Sequence, residues 1–329
     1  MKNSLRVLVA IPFNADRAPE ALAKLERAGF EIAFNERRRA MTEADLIEEL
    51  PRTYATIAGS EPYNERTLAA GDGAFRVIAR AGVGYDQVDV AAATRHDVAV
   101  AMAFGTNHEA VADHAFALIA ALGSRLFPYH KKVMDGRWGG DVHTSLWQAT
   151  IGIIGLGRIG KALARRCAGF EMRILAHDLV RDEAFAERYG IEYVDLDRLF
   201  AESDFVSVHT PHDATTNRVV NRERLALMRP GAFVVNTSRG GTVDEAALIE
   251  ALEGGRIAGA GLDVFETEPL PATSRLRQLD NVILSPHCAG GNARSVHDML
   301  VRCVESIIAI RDGRDPGQGL VLNPEVLAR

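Results

Sequence analysis

Three ionisable side chains in the carboxy-terminal half each follow a short apolar run, and their types suit reduction of a ketone beside a carboxylate. Arg239 stands in Val234-Val235-Asn236-Thr237-Ser238-Arg239-Gly240-Gly241, Glu268 in Gly261-Leu262-Asp263-Val264-Phe265-Glu266-Thr267-Glu268-Pro269, and His287 in Ser285-Pro286-His287. A guanidinium fork matches a planar carboxylate. An imidazole exchanges a proton near neutral pH, and a carboxylate next to it favours imidazolium and fixes the ring. Each residue alone also has a plainer reading: a surface ion pair for Arg239, a turn residue before Pro269 for Glu268, and a loop residue after Pro286 for His287.

A second constellation is Gly155-Leu156-Gly157-Arg158-Ile159-Gly160, between the apolar run Ile151 to Ile154 and the helical pattern Lys161 to Cys167. In a dinucleotide-binding loop, Gly155 permits a tight turn and Gly157 lets the main chain approach a pyrophosphate. Gly160 lets helix and strand pack closely. Free N–H groups at the helix start face the phosphates, and Arg158 adds charge. Asp178, after the run Arg173 to Ala176, is placed to accept from the adenosine ribose diol and to repel a 2′-phosphate, which favours NAD over NADP. Its plainer reading is a helix or turn cap, and Arg181 nearby would tolerate NADP.

These residues need a scaffold that brings strand ends together. Apolar runs alternate with amphipathic stretches: Arg6 to Ile11, Glu31 to Phe34, Ala55 to Ala58, Val77 to Ala79 and Val98 to Ala101, with a helix over Pro19 to Ala28. A second series begins near Thr150 with six runs: Ile151 to Ile154, Arg173 to Ala176, Phe205 to Val208, Phe233 to Val235, Ala258 to Leu262 and Val282 to Leu284. Continuous apolar strands separated by helices predict parallel sheets covered on both faces. In such sheets the carboxyl ends of the strands line the ligand crevice. Long helices are expected over about 107–122 and 293–312, the second ended by Gly313. The stretch from Phe127 to Trp147 lacks periodicity and reads as an arm or connection.

The 329 residues suit two domains, here 1–103 with 293–329, and 104–292. Composition is that of a globular chain, 47% hydrophobic and 25% charged, with 38 basic and 44 acidic residues. No basic stripe invites a nucleic acid, and no apolar run approaches the roughly 20 residues of a membrane span. Pro12, Asn14 and Asp16 interrupt the first apolar run, which reads as a buried strand and not a secretory leader. Cys167, Cys288 and Cys303 form neither a disulfide framework nor a zinc pattern, so a reducing, cytoplasmic location is expected. His209 and His212 lack a third ligand, and no metal is expected.

Taken in order, these motifs resemble the D-isomer-specific 2-hydroxyacid dehydrogenases, the family that includes phosphoglycerate dehydrogenase. The resemblance extends over nearly the whole chain. It includes Ala81-Gly82-Val83-Gly84-Tyr85-Asp86, Asn107-His108-Glu109-Ala110-Val111-Ala112-Asp113-His114, the Gly155 loop, the Arg239 and Glu268 segments, Ser285-Pro286-His287 and Asn323-Pro324-Glu325. It implies an α/β fold, with a Rossmann-type doubly wound parallel sheet for NAD and a flavodoxin-like substrate domain. It also implies that His287 is general acid/base at the C2 oxygen, that Glu268 pairs with it, and that Arg239 binds the substrate carboxylate with the N–H groups of Val83 and Gly84. Asp263 would face the nicotinamide carboxamide. Thr237, Ser238 and Gly290, with Ile159 and the loop His209, Thr210, Pro211 and Thr216, would line the cofactor. The implied partners are a small 2-hydroxy or 2-keto acid and a second copy of the chain, with Trp138 and Trp147 as subunit or local packing contacts.

The chain departs from the family pattern at three places. Phe104 stands where Pro is usual before Gly105. Thr144-Ser145-Leu146-Trp147 replaces a Gly-x-Glu-Leu stretch. Gly59-Ser60-Glu61-Pro62 replaces an Arg-Ser pair that meets a phosphate in phosphoglycerate-specific members, and Glu61 would repel a phosphate if turned inward. A non-enzymatic NAD-sensing protein on the same scaffold is the alternative reading. A formate dehydrogenase-like chemistry is disfavoured by an acid where Gln is usual at Glu268.

Overall fold

The fold is described from a computed structural model, for residues 5–11, 17–37 and 39–328. Pro12, Asn14 and Asp16 lie outside the described residues. The chain divides into two compact units, Met1–Asn107 with Gly291–Arg329, and His108–Gly290.

The first unit runs β1 (Leu5–Val9), α1 (Pro19–Arg27), β2 (Phe30–Phe34), α2 (Glu43–Glu49), β3 (Ala55–Ala58), α3 (Glu65–Ala70), β4 (Val77–Arg80), α4 (Val90–Arg95) and β5 (Ala99–Met102). The five strands are parallel in the order β2-β1-β3-β4-β5, the flavodoxin-like winding. Leu46 of α2, Leu68 of α3 and Ala92 of α4 pack on one face of this sheet, with Leu8, Ile78 and Val100. Leu22 and Leu25 of α1 pack on the other.

The second unit opens with α5 (His108–Gly123) and α6 (Leu126–Met134). It continues β6 (Thr150–Ile154), α7 (Arg158–Ala168), β7 (Arg173–His177), α8 (Glu183–Tyr189), β8 (Ile191–Tyr193), α9 (Leu196–Glu202), β9 (Phe205–Val208), α10 (Arg222–Leu227), β10 (Phe233–Asn236), α11 (Glu245–Glu253), β11 (Gly259–Leu262) and β12 (Val282–Leu284). Its seven parallel strands lie in the order β12-β11-β10-β9-β6-β7-β8. The order reverses beside β6, which places a topological switch point between β6 and β9. Every residue of β6, β9, β10 and β11 is buried, as parallel strands covered by helices on both faces require. α5 and α7 cover one face through Leu118, Ile119 and Leu163, while α9, α10 and α11 cover the other through Phe200, Leu225 and Leu248. Each fully buried leucine contributes roughly 1.5–3 kcal/mol. Gly261 lets α5 lie close to β11, since a Cβ there would sit 3.0 Å from Leu118 Cβ.

The last helix, α12 (Ala293–Arg311), returns to the first unit and packs Leu300, Val304 and Ile307 on the α1 face of its sheet. Gly313, at φ +68, follows its end.

Two expectations are corrected. The second sheet has seven strands, not six, because β8 adds a three-residue edge. The arm after Phe127 is not irregular throughout: α6 spans Leu126–Met134, and it lacks an apolar stripe because none of its residues is buried. Helices α2, α3 and α4 are among those expected between the strands of the first sheet, where the sequence pattern bounds α1 alone. Among the described residues no single helix is long and apolar enough to cross a membrane.

Candidate active site

The Gly155 loop joins β6 to α7 at the switch point. Gly155 has φ +93, and a Cβ there would lie 2.9 Å from the His209 carbonyl. A Cβ on Gly160 would lie 2.1 Å from Gly155 O, whereas one on Gly157 would meet nothing within 4 Å. Gly157 is the N-cap of α7 and brings no side-chain cap, so the first N–H groups of the helix are left for an anion. Arg158 is exposed at this end and Ile159 half-buried. Asp178, just past β7, accepts from Leu156 N–H at 2.6 Å and from Val180 N–H at 2.9 Å.

Across the switch point, His209 follows the last residue of β9. Its Nε2 lies 2.8 Å from Ser207 Oγ, and burial pushes its pKa down to about 3, so the ring is neutral. His209 Nδ1, Thr210 Oγ1 and Thr237 Oγ1 are buried polar atoms without a protein partner. Such atoms call for a polar ligand group or water. Thr216 Oγ donates to Pro211 O at 2.6 Å and so folds the loop beyond. Ser238 Oγ donates to Asn236 Oδ1 at 2.7 Å. Open space at Gly157, a helix start without a side-chain cap and orphaned polar atoms at the ends of β9 and β10 together fit a dinucleotide.

The ionisable residues stand at the carboxyl ends of β10, β11 and β12. Arg239, past β10, donates from Nη1 to Ser238 O at 2.7 Å. Glu268 Oε1 accepts from Phe265 N–H at 3.0 Å, and Oε2 lies 2.7 Å from His287 Nδ1. Burial pushes the Glu268 carboxyl up. The His287 hydrogen bond, the Phe265 amide and the charges of His287 and Arg239 outweigh it and hold the group below its ordinary value. His287 has φ +51, a left-handed backbone uncommon for residues other than glycine and found disproportionately at functional sites. Asp263 is buried, accepting from Ser285 Oγ at 2.6 Å, Cys288 N–H at 3.0 Å and Ala289 N–H at 2.9 Å. Gly290 follows this loop and is half-buried.

Val83 and Gly84 belong to the first unit, in the loop after β4. There Arg80 donates from Nε and Nη2 to Gly84 O at 2.9 and 2.7 Å. Glu61 is turned inward: it is fully buried, and its Oε2 accepts from Gly59 N–H at 2.6 Å. Burial raises its carboxyl against the pull of main-chain N–H groups and Arg80.

Two polar residues of the second unit were given no role by sequence reasoning, Ser285 and His114. The available signal for His114 was a histidine on the apolar face of a helix, in line with Val111 and Leu118. A cleft of about 500 Å³ lined by Phe127, Val142, Phe233, Ala258 and Val282 lies elsewhere. Phe233 and Val282 begin their strands, so this cleft is at the amino edge of the sheet, opposite Arg239 and His287.

Comparison with known proteins identifies the family. The family described as "D-isomer specific 2-hydroxyacid dehydrogenase, NAD binding domain" matches residues 116–289. A glyoxylate reductase of Korarchaeum cryptofilum is 42% identical over 259 residues, 77% of this chain and 77% of that one. A D-3-phosphoglycerate dehydrogenase of Archaeoglobus fulgidus is 35% identical over 311 residues, covering 94% of this chain and 58% of that one. The crystal structure of D-lactate dehydrogenase from Aquifex aeolicus complexed with NAD and lactic acid superposes with a TM-score of 0.83 at 27% identity, covering 96% of this chain and 98% of that one. The glycine loop at a switch point and the matched span lead to one assignment: the chain belongs to the D-isomer specific 2-hydroxyacid dehydrogenase family, and its second unit is the NAD-binding domain.

Proposed function

We propose that this protein is an NAD-dependent D-2-hydroxyacid dehydrogenase that reduces a small, unphosphorylated 2-keto acid. The observation that carries the reading is the 2.7 Å His287–Glu268 bond at a strand end, with Arg239 near enough to lower the same carboxyl. Bound NADH supplies the hydride to C2. His287 donates the proton to the C2 oxygen from Nε2, since Nδ1 is held by Glu268. Arg239 binds the substrate carboxylate and polarises the carbonyl, and the N–H groups of Val83 and Gly84 complete the carboxylate cradle. In the oxidative direction His287 takes the hydroxyl proton. Asp263 directs the nicotinamide carboxamide, with Gly290, Thr237, Ser238 and the loop His209 to Thr216 around the ring. The first unit, with α12, serves as the substrate domain and the second as the dinucleotide-binding domain.

NAD is favoured over NADP because Asp178 would repel a 2′-phosphate, while Arg181 lies over the Tyr193 ring at 5.1 Å. A phosphorylated substrate is disfavoured because the Gly59–Pro62 turn carries no arginine to meet a phosphate, and Arg80 is engaged by Gly84 O. Relatives named glyoxylate reductase support this reading, while those named D-3-phosphoglycerate dehydrogenase make phosphohydroxypyruvate a necessary arm of the test. A homodimer through the arm is supported by its exposed apolar side chains, among them Phe127, Met134, Trp138 and Val142. Three free cysteines fit a reducing cytoplasm.

The test is an NADH and NADPH depletion screen against glyoxylate, hydroxypyruvate, branched 2-keto acids and phosphohydroxypyruvate. Turnover of an unphosphorylated acid with NADH, lost in His287→Gln, is expected. Tight NADH binding without any turnover would instead favour a sensing role.

A further inference from the structure

His114 lies on the buried face of α5, with Val111 and Leu118 one turn to either side. Its Nε2 is 2.8 Å from Ser285 Oγ and 3.7 Å from Asp263 Oδ1. Ser285 Oγ is 2.6 Å from Asp263 Oδ1. An ionised carboxylate can only accept, so the single hydroxyl hydrogen of Ser285 goes to Asp263. His114 Nε2 therefore carries the hydrogen that Ser285 Oγ accepts. The chain of donors runs one way, from imidazole to hydroxyl to carboxylate.

Asp263 in turn holds the main chain on both sides of His287. Its carbonyl accepts from His287 N–H at 2.8 Å, and its carboxylate accepts from the next two N–H groups, of Cys288 and Ala289. The left-handed backbone at His287 is held by these bonds. Glu268 fixes the imidazole ring, whereas Asp263 fixes the backbone that carries it. Cys288 Sγ comes within 4.8 Å of the same His114 and Asp263 atoms. With its hydrogen directed to Ser285, His114 Nε2 has no lone pair to offer a cation, so the cluster reads as a hydrogen-bonded support and not as a metal centre.

We propose that His114 is a positioning residue for His287, acting through Ser285 and Asp263; this rests on the reading of His287 as the acid. Four variants test it: His114→Leu, His114→Gln, Ser285→Ala and the double variant His114→Leu/Ser285→Ala. In His114→Leu, kcat falls about five- to tenfold, the worth of one hydrogen bond, with the NADH dissociation constant within about twofold of wild type. Gln, which keeps a donor near the same place, restores kcat to within about twofold. The double variant falls no further than Ser285→Ala, because the links act in series. An unchanged kcat in His114→Leu, penalties that multiply, or a Gln variant no better than Leu overturns the proposal. If wild type reduces no 2-keto acid, the functional reading fails on its own, and a proton resonance decides this inference. The low-field Nδ1–H of the His287–Glu268 bond is identified by its loss in His287→Gln. It should persist in His114→Gln and shift or broaden in His114→Leu. An unaltered signal in His114→Leu overturns the proposal.

Discussion

The main-chain N–H of Leu156, inside the glycine loop, donates to Asp178 Oδ2 at 2.6 Å. One carboxylate thus ties the glycine turn to the end of β7, and on the proposed cofactor reading it presents negative charge where a 2′-phosphate would approach. Like charges repel by about 4 kcal/mol at 4 Å in an effective dielectric of 20, less with salt. Asp178→Ser should raise the NADPH-to-NADH ratio of kcat/KM by roughly tenfold or more. It should also weaken NADH, because the loop loses its tie. Steady-state kinetics with both cofactors check this.

Loss of the proton donor should be severe. His287→Gln is expected to lower kcat about a hundredfold or more while leaving NADH binding within a few-fold, read by fluorescence titration. Glu268→Gln keeps the shape and loses the charge, so a smaller fall of about tenfold is expected. Equal losses in both variants would mean that the carboxylate does more than orient and charge the ring.

Acid should weaken the second unit through His209. Its pKa is about 3 in the folded chain, because burial opposes charging, against 6.5 as its ordinary value. The unfolded chain therefore takes up a proton that the folded chain refuses. The stabilisation is present above pH 6.5 and is lost as pH falls from there towards 3, by up to about 1.4 kcal/mol per pH unit. Thermal melts between pH 7.5 and 4.5 should show a Tm decline that flattens in His209→Asn.

Two glycines of the loop should separate folding from binding. Gly160→Ala puts a methyl 2.1 Å from Gly155 O, forces α7 from β6 and should cost about 1–3 kcal/mol. Gly157→Ala meets nothing, so Tm should hardly change, yet NADH should bind about tenfold more weakly because the methyl occupies the space left for a pyrophosphate. Calorimetry and NADH titration distinguish the two.

The long, fully buried strands were legible because a strand covered on both faces must be apolar throughout; β6, β9 and β10 were readable to within one residue. β8 escaped because Ile191-Glu192-Tyr193 has an exposed acid at its centre, whereas the equally short edge strand β12 is apolar throughout. Helices α2, α3 and α4 are short, but their caps were written in the chain. Thr42 accepts from Asp45 N–H, Asn64 from Thr67 N–H and Asp89 from Ala92 N–H, each a polar N-cap three residues ahead of its partner. α6 escaped because nothing covers it. At the candidate site, Arg239, Glu268 and His287 could be singled out by their places after strands, and their chemical roles are what the substitutions above test. The His114–Ser285 contact joins residues 171 apart, and no local spacing encodes such a meeting.

With His287 in its proposed role, its left-handed backbone sets heat tolerance against turnover at one position. An L-residue in that conformation costs about 1–2 kcal/mol, and glycine, or to a lesser degree asparagine, escapes most of that penalty. A lineage selected for thermal endurance alone would be drawn to make that exchange and would end with a sturdier, inert protein. On that reading, the strain held at this position is a cost that only the reaction offsets.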